Sequence, residues 1–299
     1  MRFSGVARML VASAIFSLMA ALVKLVAPRI PTLEIVAVRC ALPVPFLIWL
    51  IRRRGVSVIA RNRRLILLRA AAGLTAMSLF FWALGELPIG DTLLLGRSQP
   101  VLVALLAPLL LRERLTPAAL LSLVLSITGV ALVLQPTLNV GNVAGLAVLG
   151  GAMASAVAHI IVRRLSADDD PMVIVLDFTV LTAAVALPIA APLAVVPGPF
   201  DALALVGIAA LATAGQLLLT GADAIEEAPV VAAASYASVA FGVVWGFLFW
   251  GEIPAMLVWI GGALVVGAGI LLLWSRRLQP PRKYAPAGAV NDRERDEVA

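Results

Sequence analysis

The chain alternates between long apolar runs and short polar connections. A helix needs about 20 apolar residues to cross a bilayer. Charged residues, proline or glycine separate runs of this kind at 6–27, 32–51, 65–85, 89–111, 117–134, 143–162, 171–191, 202–222, 229–249 and 256–274. The pattern predicts an all-α membrane protein with ten transmembrane helices. Pro43 and Pro45 lie inside the second run and are expected to kink that helix.

Composition places these runs in lipid. The sequence is 62% hydrophobic and only 13% charged, and a water-soluble domain could not bury so much apolar side chain. Aromatic residues contribute 6%, so Leu, Ala, Val and Ile dominate, which favours packed helices over a β-barrel. After Trp274 the chain becomes polar, and residues 277–299 are predicted to form a disordered cytoplasmic tail.

Basic residues predict the orientation in the membrane. If the N-terminus is cytoplasmic, the inner loops and both termini hold most of the lysines and arginines, and Arg29 stands alone in the outer loops. Cytoplasmic loops carry such an excess. The sequence therefore predicts a bacterial inner-membrane protein with both termini in the cytoplasm. The net charge of +6 is interpreted as membrane orientation and not as a nucleic-acid site.

The two halves of the sequence match when one is shifted by about 140 residues. The matches keep proline and glutamate in the same order relative to five runs: Glu86 and Pro88 match Glu227 and Pro229, and Glu113 matches Glu252. We predict a first five-helix repeat at 1–138 and a second at 139–276. An odd number of helices inverts the second repeat in the membrane, which places a shared central cavity between the repeats.

This arrangement resembles the drug/metabolite transporter superfamily, and in particular its EamA-type exporters. Each repeat has a proline, a long apolar helix, a glutamate and a helix that ends in glycine before aliphatic residues. The matching positions are Pro88, Glu113, Gly129, Pro229, Glu252 and Gly269. The resemblance implies a secondary transporter that works by alternating access. Amino-acid export, including the aromatic type, is favoured; multidrug, cationic-compound or nucleoside export by the same fold is the alternative.

Charged residues inside the runs are the first candidates for a site, because each costs about 2.5 to 3.5 kcal/mol at a helix centre on translocon scales. Lys24 lies near a helix end and is expected to extend to the interface. Arg39 and Arg97 lie deeper and should face a wet cavity, where a guanidinium can bind a substrate carboxylate. The alternative is a structural tie to helix-end carbonyls, Glu34 or Asp91.

Two titratable residues are candidates for proton coupling. His159 is the only histidine, and its side chain titrates most easily near neutral pH. Asp177 is the one carboxylate clearly inside a run. The alternatives are a hydrogen-bonded buried histidine and an aspartate that pairs with a base at the inner surface. Transport is therefore predicted to be facilitative or proton-coupled.

Helical spacing adds polar and aromatic candidates to the cavity. Thr75, Ser78 and Trp82 share one face of the third predicted helix. Gln216 lies at the position of the second repeat that is equivalent to Thr75. The remaining candidates, in the ninth predicted helix, are Tyr236, Ser238 and Trp245. Sparse polar groups on an apolar cavity predict broad specificity for small cationic or zwitterionic solutes with some apolar bulk.

Other function classes fit the sequence poorly. It has no Gly-x-Ser-x-Gly, His-Glu-x-x-His or Walker A motif, which argues against an intramembrane enzyme and an ATP-driven pump. A channel should present rings of like groups or a recurring filter segment, and none is visible. Cys40 is a single cysteine, so it forms no intrachain disulfide or thiolate metal cluster. We expect no metal or cofactor. The predicted partners are a small-molecule substrate and the lipid bilayer, with a monomer consistent with the sequence.

Overall fold

The regular structure of the described chain is helical. The computed structural model describes residues 5–53, 60–99, 101–102, 106, 117–134, 143–165, 169–223 and 235–277, and no strand occurs among them. The helices are α1 (Gly5–Val26), α2 (Thr32–Ala41), α3 (Val44–Arg53), α4 (Arg63–Glu86), α5 (Ile89–Gly96), α6 (Pro117–Leu134), α7 (Val143–Leu165), α8 (Pro171–Ala190), α9 (Pro199–Asp223), α10 (Ala237–Trp250) and α11 (Met256–Arg277), with a 3-10 turn at Ala191–Leu193.

The lengths and composition of these helices are those of a protein that crosses a membrane several times. Six segments are long and apolar enough to span: Ala7–Val26, Thr32–Arg53, Arg63–Glu86, Val143–Val162, Met172–Leu193 and Pro199–Leu219. Shorter apolar helices cover Leu120–Leu132, Ala237–Trp250 and Met256–Leu271. Each segment coincides with a predicted run, so the all-helical membrane class is confirmed. The run 89–111 is described mainly as α5, and most of its remainder lies outside the described residues.

The second predicted helix is interrupted near its middle. Its first part, α2, ends at Ala41, and α3 begins at Val44. Pro43 lies in the gap and has no backbone N–H to continue the helical bonding of α2. Its carbonyl accepts from the N–H of Leu47 at 2.9 Å, so helical bonding resumes at once. Pro45 lies in the first turn of α3, where a missing N–H breaks no helical bond. The break is therefore caused by Pro43.

Helices from the two halves of the sequence pack against each other. α1 contacts α9 and α10, α4 contacts α7 and α8, and α2 contacts α8 and α9. α5 packs on α10 and α7, and α6 packs on α11. A buried apolar cluster joins α1, α2, α4, α5, α8 and α9, with Val23, Ile35, Leu84 and Ile208 at its centre. The cavities described below lie among these helices.

Glycine lets several of these helices approach closely. A methyl group added at Gly151 of α7 would come within 3.1 Å of the Ala76 carbonyl oxygen in α4. Gly242 of α10 packs directly against Leu93 of α5. A side chain at either position would force these helix pairs apart.

A partly buried ion pair joins helix ends from both halves. Lys24 of α1 pairs with Glu252, and their side chains are only 11% and 17% exposed. Lys24 Nζ also donates to the Leu87 carbonyl at 2.7 Å, and the other oxygen of Glu252 accepts from the N–H of Ile89 at 3.0 Å. Lys24 therefore has a counter-charge within the protein, which the sequence did not predict.

Candidate functional site

Two neighbouring cavities lie inside the helical bundle and share one residue, Arg39. The larger, which we call the Arg97 cavity, has a volume of about 250 Å³. Its lining residues are Met19, Arg39, Ala76, Met77, Phe80, Phe81, Leu93, Gly96, Arg97, Val148, Gly151, Ala152 and Ser155. The smaller, the Arg69 cavity, has a volume of about 50 Å³. It is lined by Arg39, Cys40, Pro43, Leu47, Arg69, Val175, Phe178, Thr179, Ala212, Thr213, Gln216 and Leu217.

Arg97 is held at the end of α5 by two serines. Its Nη1 donates to Ser235 Oγ at 3.0 Å, and its Nη2 donates to Ser238 Oγ at 2.5 Å. The tie is thus to serine hydroxyls beside and within α10, and not to Glu34 or Asp91. A guanidinium has five N–H donors, so these two bonds leave donors for a ligand in the cavity. The phenol of Tyr236 lies close enough for the charge of Arg97 to act on it.

Arg39 points into the bundle from the last turn of α2. Its Nη1 contacts the sulfur atoms of Met77 and Cys40, the latter at 3.8 Å, and its guanidinium lies 5.9 Å from the centre of the Phe81 ring. The Nε of Arg39 is buried and has no hydrogen-bond partner. Sulfur is a weak acceptor, so these contacts leave most of the hydrogen-bonding capacity of Arg39 unused.

Arg69 lines the smaller cavity from α4. Its guanidinium lies 4.0 Å from the centre of the Phe178 ring, an arrangement that favours a cation. Gly73, one turn further along α4, leaves the space that the guanidinium occupies. The Nε of Arg69 is also buried without a partner. The charge of Arg39 acts on Arg69, so the two guanidinium groups are neighbours.

No carboxylate lines either cavity in the described part of the chain. Two carboxylates elsewhere in the bundle have partners of their own. Asp201 pairs with Arg29, and Glu34 Oε2 accepts from the N–H of Val195 at 3.0 Å. Among the described residues, the arginines of the two cavities form no ion pair. Three cations with no counter-ion therefore surround a partly apolar space, which is suited to binding an anion.

The structure brings together some of the residues that the sequence predicted for the site. Arg39 and Arg97 line the same cavity, and Gln216 lines the smaller one. Tyr236 and Ser238 lie beside Arg97. These residues come from four different helices or their ends, and the packing of α2, α5, α9 and α10 places them around the two cavities.

Other predicted residues lie outside both cavities. Thr75 is exposed and donates to the Ala71 carbonyl of its own helix at 3.0 Å. The Ser78 hydroxyl is buried without a partner. Trp82 is 39% exposed, and Trp245 Nε1 donates to Ser17 Oγ at 3.1 Å. We therefore leave these side chains out of the site proposed below.

The two candidates for proton coupling have different surroundings. Asp177 Oδ2 accepts from the N–H of Ala60 at 2.7 Å, so it holds the segment before α4 in place. His159 Nδ1 lies 2.9 Å from the Ser155 carbonyl oxygen, and its ring is exposed. Ser155 itself lines the Arg97 cavity, and the charge of Arg69 acts on His159. His159 is thus near both cavities. Asp177 instead accepts a backbone hydrogen bond that positions the segment before α4.

The site includes residues for which the sequence offered no role. Arg69 is a charged residue inside a predicted helix, and its cost in lipid was the one signal available. Met77, Phe80 and Phe81 form the apolar wall of the larger cavity, and Phe178 supports Arg69. Apolar side chains of these types occur on every helix, so the sequence does not distinguish those that line a cavity.

Comparisons with known proteins agree with this fold. Residues 3–135 match the EamA-like transporter family. The Pseudopaline exporter CntI of Pseudomonas aeruginosa is 32% identical over 90% of this chain and 95% of its own length. Human Solute carrier family 35 member G1 is 28% identical over 79% of this chain and 69% of its own length. A Riboflavin transporter of Vibrio cholerae is 25% identical over 79% of this chain and 81% of its own length.

A solved crystal structure shares the fold, with a TM-score of 0.65 and 21% identity over 92% of this chain and 98% of that one. Together with the multiple membrane-spanning helices, these matches show the class of the protein. The chain belongs to the EamA-like transporter family of the drug/metabolite transporter superfamily, and it is a multi-pass membrane transporter and not an enzyme.

Proposed function

We propose that this transporter exports amino acids and related small metabolites that carry a carboxylate. The observation that supports the proposal most directly is the presence of Arg39 and Arg97 in one cavity that no described carboxylate lines. A guanidinium matches the geometry of a carboxylate and binds it with two parallel hydrogen bonds. The same charges repel a cationic solute, which makes export of cationic compounds the weaker alternative.

The apolar wall of the Arg97 cavity supports broad specificity. Met77, Phe80, Phe81 and Leu93 offer contact surface without directional donors. An apolar pocket discriminates weakly between side chains of similar size, because one methylene group changes binding by only about 1 to 3 kcal/mol. The arginines would then select for the carboxylate, while the wall accepts several side chains. The name of the Pseudomonas relative supports export as the direction of transport.

We further propose that two inverted five-helix repeats, 1–138 and 139–276, alternate access to the cavities. The helix contacts support this symmetry. Shifting by one repeat converts the α1–α9 contact into the α7–α4 contact, and the α1–α10 contact into the α7–α5 contact. The pairs α2–α8, α5–α10 and α6–α11 each join equivalent positions of the two repeats. Inverted repeats with a site between them are common in secondary transporters.

A bacterial inner membrane and cytoplasmic termini remain our proposal for location. Polar contacts between helix ends support the alternating directions of the helices. Arg29, after α1, pairs with Asp201 at the start of α9, so these two ends lie on one side. Asp169, after α7, accepts from the N–H of Arg61 before α4 at 3.0 Å, which joins two other ends. The excess of basic residues in the loops supports a cytoplasmic position for the side that holds Arg61 and Asp169.

The proposed function predicts that uptake depends on the carboxylate of the solute. We expect purified protein in sealed liposomes to take up several labelled amino acids from a panel of Thr, Met, Phe, Trp, Lys and Glu, with saturation and mutual competition. Phenylalaninamide and tryptamine are matched solutes without a carboxylate. They should compete at least about tenfold more weakly than Phe and Trp, since the buried arginines would have no anion to bind. Equal competition by these analogues would rule out carboxylate recognition.

Proton coupling, if present, is assigned to His159 in this proposal. We expect an imposed pH gradient to change the uptake rate of the wild type and to have no effect on His159→Ala, because this variant lacks the titratable ring. Asp177→Asn is the matched control and should keep the gradient response, because Asp177 only holds the Ala60 N–H. A wild-type rate that is the same with and without the gradient would identify a facilitative carrier.

A planar heterocycle is a second candidate substrate. The Vibrio relative is named as a Riboflavin transporter, and Phe80 and Phe81 provide aromatic surface in the Arg97 cavity. Aromatic rings attract each other in offset-stacked or edge-to-face arrangements, so these two side chains could contact a planar ligand. Riboflavin therefore belongs in the uptake panel. Riboflavin uptake that Phe and Trp do not inhibit would favour this candidate over amino-acid export.

A further inference from the structure

Arg39 belongs to both cavities, and this makes them parts of one basic region. It reaches the Arg97 cavity beside Met77 and Phe81, and it reaches the Arg69 cavity beside Cys40. Arg39 thus shares one cavity with Arg97 and the other with Arg69, and its charge acts on Arg69. An anion that enters either cavity therefore meets two arginines.

Among the described residues, Arg69 has no carboxylate partner that would neutralise its charge. The ring of Phe178 is its contact, and Gly73 leaves room for it. Among the described residues it forms no ion pair and no hydrogen bond, and its Nε is buried. A partly buried cation in this state is costly unless an anion neutralises it. Arg39 makes the cost larger, because like charges repel across a medium of low dielectric constant.

The other polar groups of the Arg69 cavity are partly committed to their own helices. Thr179 Oγ1 donates to the Val175 carbonyl at 2.7 Å, and Thr213 Oγ1 donates to the Ala209 carbonyl at 2.8 Å. These hydroxyl oxygens no longer offer a proton to a ligand. Recognition in this cavity is therefore left mainly to Arg69 and Arg39.

We propose that the Arg69 cavity is a second anion subsite and that the preferred substrates carry two carboxylates, one bound at Arg97 and the other at Arg69. Arg39 lines both cavities and contacts the substrate from each. This inference rests on the proposed function, in which the Arg97 cavity binds a single carboxylate. Among the carboxylates that the proposed function admits, it makes small dicarboxylates and amino acids with an acidic side chain the preferred substrates.

Binding of a chain-length series tests the two subsites. Isothermal titration of the full-length protein in detergent would compare α,ω-dicarboxylates from succinate to azelate with the monoamide of each. The monoamide keeps the size and one carboxylate but has no second charge. We expect one chain length at which the dicarboxylate binds at least about tenfold more tightly than its monoamide. The best length reports the separation of the two subsites.

The variants assign the preference to Arg69. In Arg69→Gln the preference for the dicarboxylate over the monoamide should fall below about twofold. Arg64→Gln removes an equal charge from an exposed position of the same helix and should keep the preference. Binding of the monoamide to Arg69→Gln also reports that this variant is folded.

Two results would overturn the proposal of a second subsite. One is a wild type that binds dicarboxylates and monoamides equally at every length. The other is an Arg69→Gln variant that keeps the preference for the dicarboxylate. The first needs no variant, so the inference stays testable even if Arg69→Gln does not fold. No binding of either series by folded wild-type protein would overturn carboxylate transport itself, and this inference with it.

Discussion

Replacing Arg39 with glutamine is expected to lower the efficiency of carboxylate uptake by roughly 10- to 100-fold. Hydrogen bonds to charged groups contribute about 1.5 to 3 kcal/mol each, and a tenfold change in rate corresponds to about 1.4 kcal/mol. Arg39 lines both cavities, so its charge is lost from every part of the proposed site. The measurement is kcat/KM for counterflow of labelled Phe in liposomes.

Two further variants show whether the effect of Arg39→Gln is specific. Arg39→Lys keeps the charge and loses the planar fork, so it should recover only part of the uptake. Arg64→Gln removes a charge from the exposed start of α4 and should behave as the wild type. If uptake by Arg39→Gln stays within twofold of the wild type, Arg39 has a structural role and the proposed site is wrong.

The second large effect concerns stability. Glu252→Gln should destabilise the folded protein by about 3 kcal/mol, because it leaves Lys24 inside the protein without its counter-charge. Lys24→Met should cost a similar amount, because Glu252 would then be the unpaired charge. The ring of Trp250, whose centre lies 5.4 Å from Lys24 Nζ, compensates only part of this loss. Thermal unfolding in detergent would show the loss as a lower Tm.

The double variant tests the pairing itself. Lys24→Met combined with Glu252→Gln should lower the Tm by clearly less than the sum of the two single effects, since neither charge then remains unpaired. Glu86→Gln is a suitable control, because Glu86 is an exposed carboxylate at the nearby end of α4. Strictly additive effects of the two single substitutions would show that the pair contributes nothing to stability.

The sequence predicted the helices well because their apolar runs must match the thickness of a bilayer. It also predicted the break at Pro43, whose missing N–H is a local property. The cost of charge in lipid directed attention to Arg39 and Arg97, and both of these residues line the larger cavity. Each of these predictions depends on a residue and its neighbours along the chain.

Predictions that depend on helix rotation were less successful. Trp82 was placed on a polar face of its helix, yet it is 39% exposed and lines neither cavity. An apolar helix gives no sign of which face contacts protein and which contacts lipid. Lys24 and Glu252 lie 228 residues apart, so their pairing arises from the packing of the two halves. Arg69 acquires its place in the site in the same way, from the position of Phe178 on another helix.

Cys40 gives the protein a built-in reporter. It is the single cysteine of the 299 residues, it is buried, and it lines the Arg69 cavity next to Arg39. A thiol reagent or a fluorescent label applied to the unmodified chain can therefore attach at one place only, and that place borders the smaller of the two proposed binding cavities. The kinetics of labelling would follow the opening of the path without any engineered residue.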